Sequence, residues 1–226
     1  MHLPITKRLV TAAEMIGAAD ILCDIGCDHG YLPIYLIQKG QIKEAYACDV
    51  RDGPLKTASK NISAYHMKDT IRTIKSNGLS ELGAVAFDVI SICGMGGRLI
   101  ADIIKQDIQT ARRAKRMVLQ PMSEIPALRR FLAENGFLIQ EERLAVEDRR
   151  FYVLMTVVCG EEINRSEVDY VLGRLLLGQK DEVTQAHFKK ELQRFQTVLE
   201  ARGGSGKAPE LVPIVEELKK YAENII

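Results

Sequence analysis

DIGCDHGYLP, residues 24–33, decides how the chain is read. A strand-like run, ILCDI (21–25), leads into it. Glycine at 26 permits a tight turn, and glycine at 30 lets the next helix start close beneath a ligand. A dinucleotide fingerprint of the form G-x-G-x-x-G would carry its second glycine at 28, but Asp28 stands there. In a doubly wound sheet, ligands sit at the carboxyl ends of the strands where strand order reverses, so this loop marks the candidate site.

Outward from the loop, β-rich runs alternate with helical stretches. Residues 4–17 read as an initial helix, with Leu9, Val10, Ala13 and Ile16 near helical spacing. Further strands are expected at EAYACDV (44–50), TIRTI (70–74), FDVISIC (87–93) and RMVLQ (116–120), and helices at 53–66 and 96–108. FLIQEERLAVED and RRFYVLMTVVCG read as two long strands joined by a tight turn at 147–149. This order implies an α/β domain over residues 1–160: a mostly parallel doubly wound sheet with an antiparallel edge hairpin.

After Gly160 the pattern changes. Val168, Leu172, Leu175 and Leu176 share a helical face, and Phe188, Leu192, Phe195 and Leu199 continue at steps of four, three and four. GGSGKAP (203–209) interrupts the rhythm before Leu211, Ile214 or Val215, Leu218, Ala222 and Ile225 resume it. Residues 161–226 are therefore expected to form an antiparallel helical hairpin, including a long helix from about Asp181 to Arg202.

A 226-residue chain that is 46% hydrophobic and 27% charged holds one full domain and a smaller appendage. No apolar run is long enough for a membrane span, and MHLPITKRLV lacks the features of a signal peptide, so a cytoplasmic protein without membrane partners is expected. No protein partner is evident, and a monomer is expected. Cys23, Cys27, Cys48, Cys93 and Cys159 are scattered, with no C-x-x-C pair and no histidine cluster, and read as reduced thiols without a metal. The net charge of +1 is uneven: 10 Lys and Arg face 12 Asp and Glu after residue 160, against 21 and 18 before it. Cations cluster at Lys105, at Arg112, Arg113, Lys115 and Arg116, at Arg129 and Arg130, and at Arg149 and Arg150. They form either solvated faces or a stripe for phosphates.

Charge also separates the ligand classes. Asp49 ends the second strand 25 residues after Asp24, where a carboxylate can accept both ribose hydroxyls of an adenosine. A pyrophosphate favours backbone N–H groups and a close glycine, whereas Asp24 and Asp28 would repel it. The same two carboxylates suit the ammonium and sulfonium of S-adenosylmethionine.

At these residues the chain resembles the bacterial tRNA adenine-22 N1-methyltransferases of the TrmK family. The resemblance runs through TKRL (6–9), DIGCDHGYLP, DVRDGPL (49–55), NGL (77–79), GMGG (94–97) and LQP (119–121). It implies a class I S-adenosylmethionine-dependent fold with a C-terminal helical hairpin, acting on N1 of adenine 22 in the D-loop region of tRNA. The implied cofactor set is Asp24, Gly26, Cys27, Asp28, His29 and Gly30, then Asp49 with Val50, Asn77 with Gly78, and Gly94 with Met95. The family commonly reads GDGL where this chain has SNGL; the amide oxygen of Asn77 can still accept a hydrogen bond from the cofactor's adenine.

CGMGG lacks the Asn- or Asp-Pro-Pro-aromatic motif of many enzymes that methylate exocyclic amino groups. Ring N1 has an in-plane lone pair, so alignment and accommodation of the product's positive charge matter more than a strong base. Asp28 is the candidate catalytic group: accepting from the target's amino group would make N1 more nucleophilic. Its alternative role is capping the next helix. For the substrate the candidates are Arg8, Tyr31, Gly96 and Gly97, with Arg112, Arg113 and Arg116 on phosphates. His29 also reads as a structural histidine, and Gly94, Gly96 and Gly97 as a plain strand-to-helix turn. Competing functions are a small-molecule methyltransferase on the same fold and a nucleotide-binding regulator without turnover.

Overall fold

The computed structural model describes residues 3–161, 165–204 and 206–223. The chain divides into two compact units, Met1–Glu162 and Ile163–Ile226. In the first, α1 (Lys7–Ile16) precedes β1 (Ile21–Ile25), α2 (Tyr31–Gln38), β2 (Glu44–Asp49), α3 (Asp52–Ala64) and β3 (Ile71–Lys75). After a short 3₁₀ turn at Ser80–Leu82 come β4 (Val89–Gly96), α4 (Gly97–Gln106), α5 (Ile108–Arg113), β5 (Arg116–Ser123), α6 (Ile125–Glu134), β6 (Phe137–Glu147) and β7 (Arg150–Cys159).

The seven strands lie in the order β3-β2-β1-β4-β5-β7-β6. All neighbours are parallel except β7, which runs antiparallel to both β5 and β6. This is the expected doubly wound sheet with its edge hairpin. The chain winds outward one way from β1 and the other way from β4, so the order reverses between these two neighbours, and the loops leaving them open side by side. Both central strands are covered on two faces, which is why ILCDI and VISI read as nearly continuous apolar runs.

Strand boundaries depart from the periodic reading where the backbone is bonded from outside the run. Phe87 and Asp88 fall before β4, because Asp88 Oδ2 accepts the N–H groups of Asp20 and Ile21 at 3.0 Å each. β4 and β5 extend beyond the apolar stretch through register shifts at Cys93, Met95 and Gly96, which carry GMGG alongside Pro121 and Ser123. α1 starts only at Lys7, since Thr6 is extended at φ −82° and ψ 157°. At the hairpin, Asp148 and Arg149 are both left-handed (φ 48° and 62°), the conformation of a two-residue turn between paired Glu147 and Arg150.

In the second unit a π-helical turn at Asp169–Gly173 leads into α7 (Arg174–Leu177). Gly173, at φ 88°, interrupts the single helical face read over 168–176. α8 (Glu182–Ala201) is capped by Asp181, whose carboxylate accepts from the N–H groups of Val183 and Thr184. After a 3₁₀ turn at Pro209–Leu211, α9 (Val212–Glu223) packs on α8 through Phe188 and Tyr221, with ring centroids 4.7 Å apart. Ile225 lies outside the described residues. No described helix is long and apolar enough to cross a membrane.

Candidate active site

The loop after β1 is built from left-handed residues: Gly26, Asp28 and Gly30 have φ of 72°, 47° and 70°. The N–H groups of Gly26 and Cys27 both donate to Cys48 O of β2, at 2.8 and 2.9 Å, and Gly30 N–H closes the turn onto Cys27 O at 2.7 Å. Asn61 of α3 donates to His29 O at 2.9 Å, so the loop is held from two sides. The Met95 side chain lies against Gly26 where a Cβ would point, so the two loops at the switch point pack directly on one another.

Three carboxylates stand at the carboxyl ends of β1 and β2, in three different environments. Asp24 is 4% exposed and accepts the Ser91 hydroxyl of β4 at 2.6 Å. Burial pushes its carboxyl up to about 7, and the Ser91 hydrogen bond opposes that rise. Asp49 is 5% exposed; its Oδ1 accepts Arg51 N–H at 2.9 Å, and no described residue donates a hydrogen bond to its Oδ2. The Asp28 side chain is 64% exposed, with His29 Nε2 3.3 Å from its Oδ2. Helix α2 has Gly30 at its N-cap and no side-chain cap, so Asp28 is not that helix's cap.

The other expected cofactor residues fall around the same edge. Val50 follows Asp49 and is exposed. The turn after β3 is tied to β2 by Ser76 N–H on Asp49 O at 3.0 Å, and the Ser76 hydroxyl donates to Gly78 O at 2.8 Å. Gly78 is left-handed at φ 61°, and a Cβ there would come within 3.0 Å of the Ile103 side chain of α4; Asn77 beside it is exposed. His29 and Tyr31 stack at 5.2 Å with rings 12° apart, in the first turn of α2 and the loop before it.

Several substrate candidates are placed otherwise than the sequence suggests. Gly96 and Gly97 face a neighbouring turn: a Cβ on Gly97 would lie 2.5 Å from Glu124 O, and one on Gly96 would lie 3.2 Å from Ser123 Oγ. Their missing side chains serve the close approach of the β5–α6 junction, where Glu124 is itself left-handed at φ 52°. Arg8 points inward, with Nη1 donating to Gln120 Oε1 at 2.8 Å and Nε 3.9 Å from Glu147 Oε2, so it is not a free phosphate ligand.

Arg112, Arg113 and Arg116 lie at the opposite end of the sheet. Arg116 opens β5 in register with Val89, the first residue of β4, and its guanidinium donates to Ile16 O and Ala18 O. Arg113 donates to the carbonyls of Leu82, Gly83 and Val85, and Arg112 to Asn135 O. These guanidiniums satisfy loop carbonyls at the amino-terminal edge, away from the site. Arg129 of the next cluster is buried in an ion pair with Glu142.

Sequence reasoning passed over Ser91, Arg51, Ser76 and Gln120. Gln120 lay within the quoted LQP run, but only strand register shows that its side chain reaches Gly94. Among the described residues no group of three or more His, Cys, Asp or Glu is arranged to hold a metal ion.

The family model described as tRNA (adenine(22)-N(1))-methyltransferase, TrmK, matches residues 22–221. A curated Bacillus subtilis protein, tRNA (adenine(22)-N(1))-methyltransferase, is 29% identical over 205 residues, covering 88% of this chain and 86% of its own length. Streptococcus pneumoniae Sp1610 in complex with S-adenosyl-L-methionine superposes with a TM-score of 0.86 at 34% identity, covering 96% of this chain and 99% of that one. Mycoplasma capricolum TrmK in complex with S-adenosyl-homocysteine gives 0.83 at 27% identity, over all of both chains. With the sheet order, the glycine loop and its three carboxylates in place, and a match that runs from the first strand into the last helix, the chain belongs to the tRNA (adenine(22)-N(1))-methyltransferase family.

Proposed function

We propose that the protein methylates N1 of adenine 22 of tRNA in the cytoplasm, using S-adenosylmethionine held by the loops after β1, β2 and β3. The observation that carries this reading is the set of Asp24, Asp28 and Asp49 around the switch point of a TrmK-family chain. The residues fit the cofactor. Asp24 is a buried carboxyl that lacks a cationic partner among the described residues and suits an ammonium. Asp49 has an oxygen open to a ribose diol, and Gly26 gives the loop its left-handed turn, with the Met95 side chain seated where a Cβ would point.

When bound, the cofactor supplies a methyl on a sulfonium; the methyl passes to N1 as its bond to sulfur breaks, and the positive charge moves to the base. Asp28, exposed at the mouth, accepts from the adenine amino group, orients the ring edge and stabilises the charge formed there. Tyr31 and His29 offer a stacked pair beside it. Phosphate contacts fall to Arg51 before α3 and Arg98 in the first turn of α4, at the same end of the sheet; each is paired through Nε, with Asp49 at 3.5 Å and Glu124 at 2.7 Å, but its side chain is more than 70% exposed. α8, 20 residues long, spans about 30 Å and serves to brace the folded RNA.

Asp49→Ala is expected to weaken S-adenosylhomocysteine binding by about tenfold or more, since charge-assisted hydrogen bonds of roughly 1.5–3 kcal/mol are lost. Calorimetry showing wild-type affinity would remove Asp49 from the ribose.

Asp24 gives a pH-dependent prediction. Its folded-state value of about 7 lies above the ordinary 3.8, so its contribution to stability is fullest below pH 3.8 and is lost as pH rises toward 7. An ammonium beside it favours ionisation, so binding of S-adenosylhomocysteine at about pH 6 should release most of one proton. Binding enthalpies should then differ between buffers of unlike ionisation heat, and the difference should vanish in Asp24→Asn. Equal enthalpies for the wild type in all buffers would contradict this role.

A further inference from the structure

We propose that Gln120 is a positioning residue for methyl transfer, setting the 94–97 loop against the cofactor loop and tying both to α1 through Arg8. The inference rests on the methyltransferase reading above. Gln120 is fully buried in β5. Its Oε1 accepts two donors, Arg8 Nη1 at 2.8 Å and Gly94 N–H at 3.1 Å. Its Nε2 donates to Pro121 O at 3.0 Å and to Met122 Sδ at 3.4 Å. A flipped amide would set an NH₂ against two donors and an oxygen against a carbonyl, so the network allows one orientation.

The geometry leads from this amide to the reacting centre. Gly94 is left-handed at φ 79°, and the Arg8 guanidinium lies over its Cα, 3.3 Å from where a Cβ would be. The next residue, Met95, packs its side chain on Gly26 of the cofactor loop. A shift of the Gly94 peptide therefore moves Met95 across the surface that the cofactor and the incoming base must share. Alignment of the methyl with N1 is sensitive to displacements near 1 Å, which cost about 100-fold in rate. Arg8 adds the second tether: from α1 it holds the same oxygen, with Glu147 of β6 3.9 Å from its Nε. Arg8 of α1 and Gly94 of β4 thus converge on one buried amide of β5, and Glu147 of β6 stands behind the Arg8 guanidinium.

The test uses the full chain and Gln120→Met, which fills the space with an unbranched side chain that gives neither an oxygen acceptor nor an amide donor. Single-turnover formation of 1-methyladenosine in tRNA should fall by roughly 30- to 100-fold, with S-adenosylhomocysteine and tRNA affinities within about twofold of wild type. The Met95 methyl resonance of ¹³C-methionine-labelled protein should move without any ligand present. Arg8→Met should slow the reaction less on its own and add little to Gln120→Met, because both act through the same oxygen.

A wild-type rate in Gln120→Met, an unmoved Met95 resonance, or additive effects of the two substitutions overturns the proposal. So does a loss of cofactor affinity that accounts for the whole loss of rate. If Gln120→Met does not fold, Arg8→Met carries the test: it must shift the Met95 resonance and slow transfer at unchanged S-adenosylhomocysteine affinity, and wild-type behaviour overturns the coupling. Wild-type enzyme in the same assay separates the two readings. If it forms no 1-methyladenosine, the activity assignment fails; if it does while Gln120→Met matches it, only the positioning role fails.

Discussion

Asparagine in place of Asp28 is expected to slow methyl transfer by at least about 100-fold while leaving the fold and most of the cofactor affinity intact. Asn is the suitable replacement on structural grounds. Residue 28 is left-handed at φ 47°, a conformation that Asp and Asn tolerate and that Ala would strain, so Asp28→Ala would mix backbone effects with lost charge. The carboxylate lies at the mouth of the site and does not cap α2, so removing its charge leaves the following helix with its Gly30 N-cap. What is lost is the negative charge facing a base that becomes cationic during the reaction. Single-turnover rates at saturating tRNA and cofactor, set beside calorimetric affinity for S-adenosylhomocysteine, decide the matter. An Asp28→Asn enzyme with the wild-type rate would leave the carboxylate no part in the chemistry.

The largest effect on stability is expected at Arg129. Its Nε donates to Glu142 Oε1 at 2.8 Å, and the two side chains are 1% and 0% exposed, joining α6 to β6. Arg129→Met takes the guanidinium away from a fully buried carboxylate and should cost about 3–5 kcal/mol. Arg129→Met combined with Glu142→Leu removes both charges and should recover most of that loss, because well-packed apolar replacements of buried pairs are often neutral or better. Urea unfolding of the three proteins measures this directly. A single variant within about 1 kcal/mol of wild type would mean that the pair is not holding the hairpin edge in place.

The strands were legible because central parallel strands have a short, apolar signature, and the glycine loop because left-handed turns select glycine, with Asp as a tolerated exception at 28. The carboxylates at 24, 28 and 49 could be read for ligand charge without coordinates, since Asp24 and Asp49 fall at the ends of β1 and β2 and Asp28 in the loop that follows β1. The arginines misled. Clustering in sequence says nothing of which end of a sheet a cation occupies, although Arg116, as the first residue of an expected parallel strand, already pointed to the edge remote from the site. Gly96 and Gly97 were read either for a substrate or as a plain strand-to-helix turn; they do join β4 to α4, and their lack of side chains answers the approach of Ser123 and Glu124, a contact between segments about 27 residues apart. Ser91 and Gln120 gave no local signal. Their roles come from register, which sets Ser91 opposite Asp24 across β1 and β4 and Gln120 opposite Cys93, next to Gly94.

The central claim is the atom and position methylated, and one measurement tests it most directly. An unmodified tRNA with adenine at position 22, and the same tRNA with guanine there, are incubated with the enzyme and S-adenosylmethionine, digested to nucleosides and analysed by mass spectrometry. The account predicts 1-methyladenosine from the first tRNA, approaching one per molecule, and none from the second. No 1-methyladenosine from the first, or an equal yield from both, would contradict it.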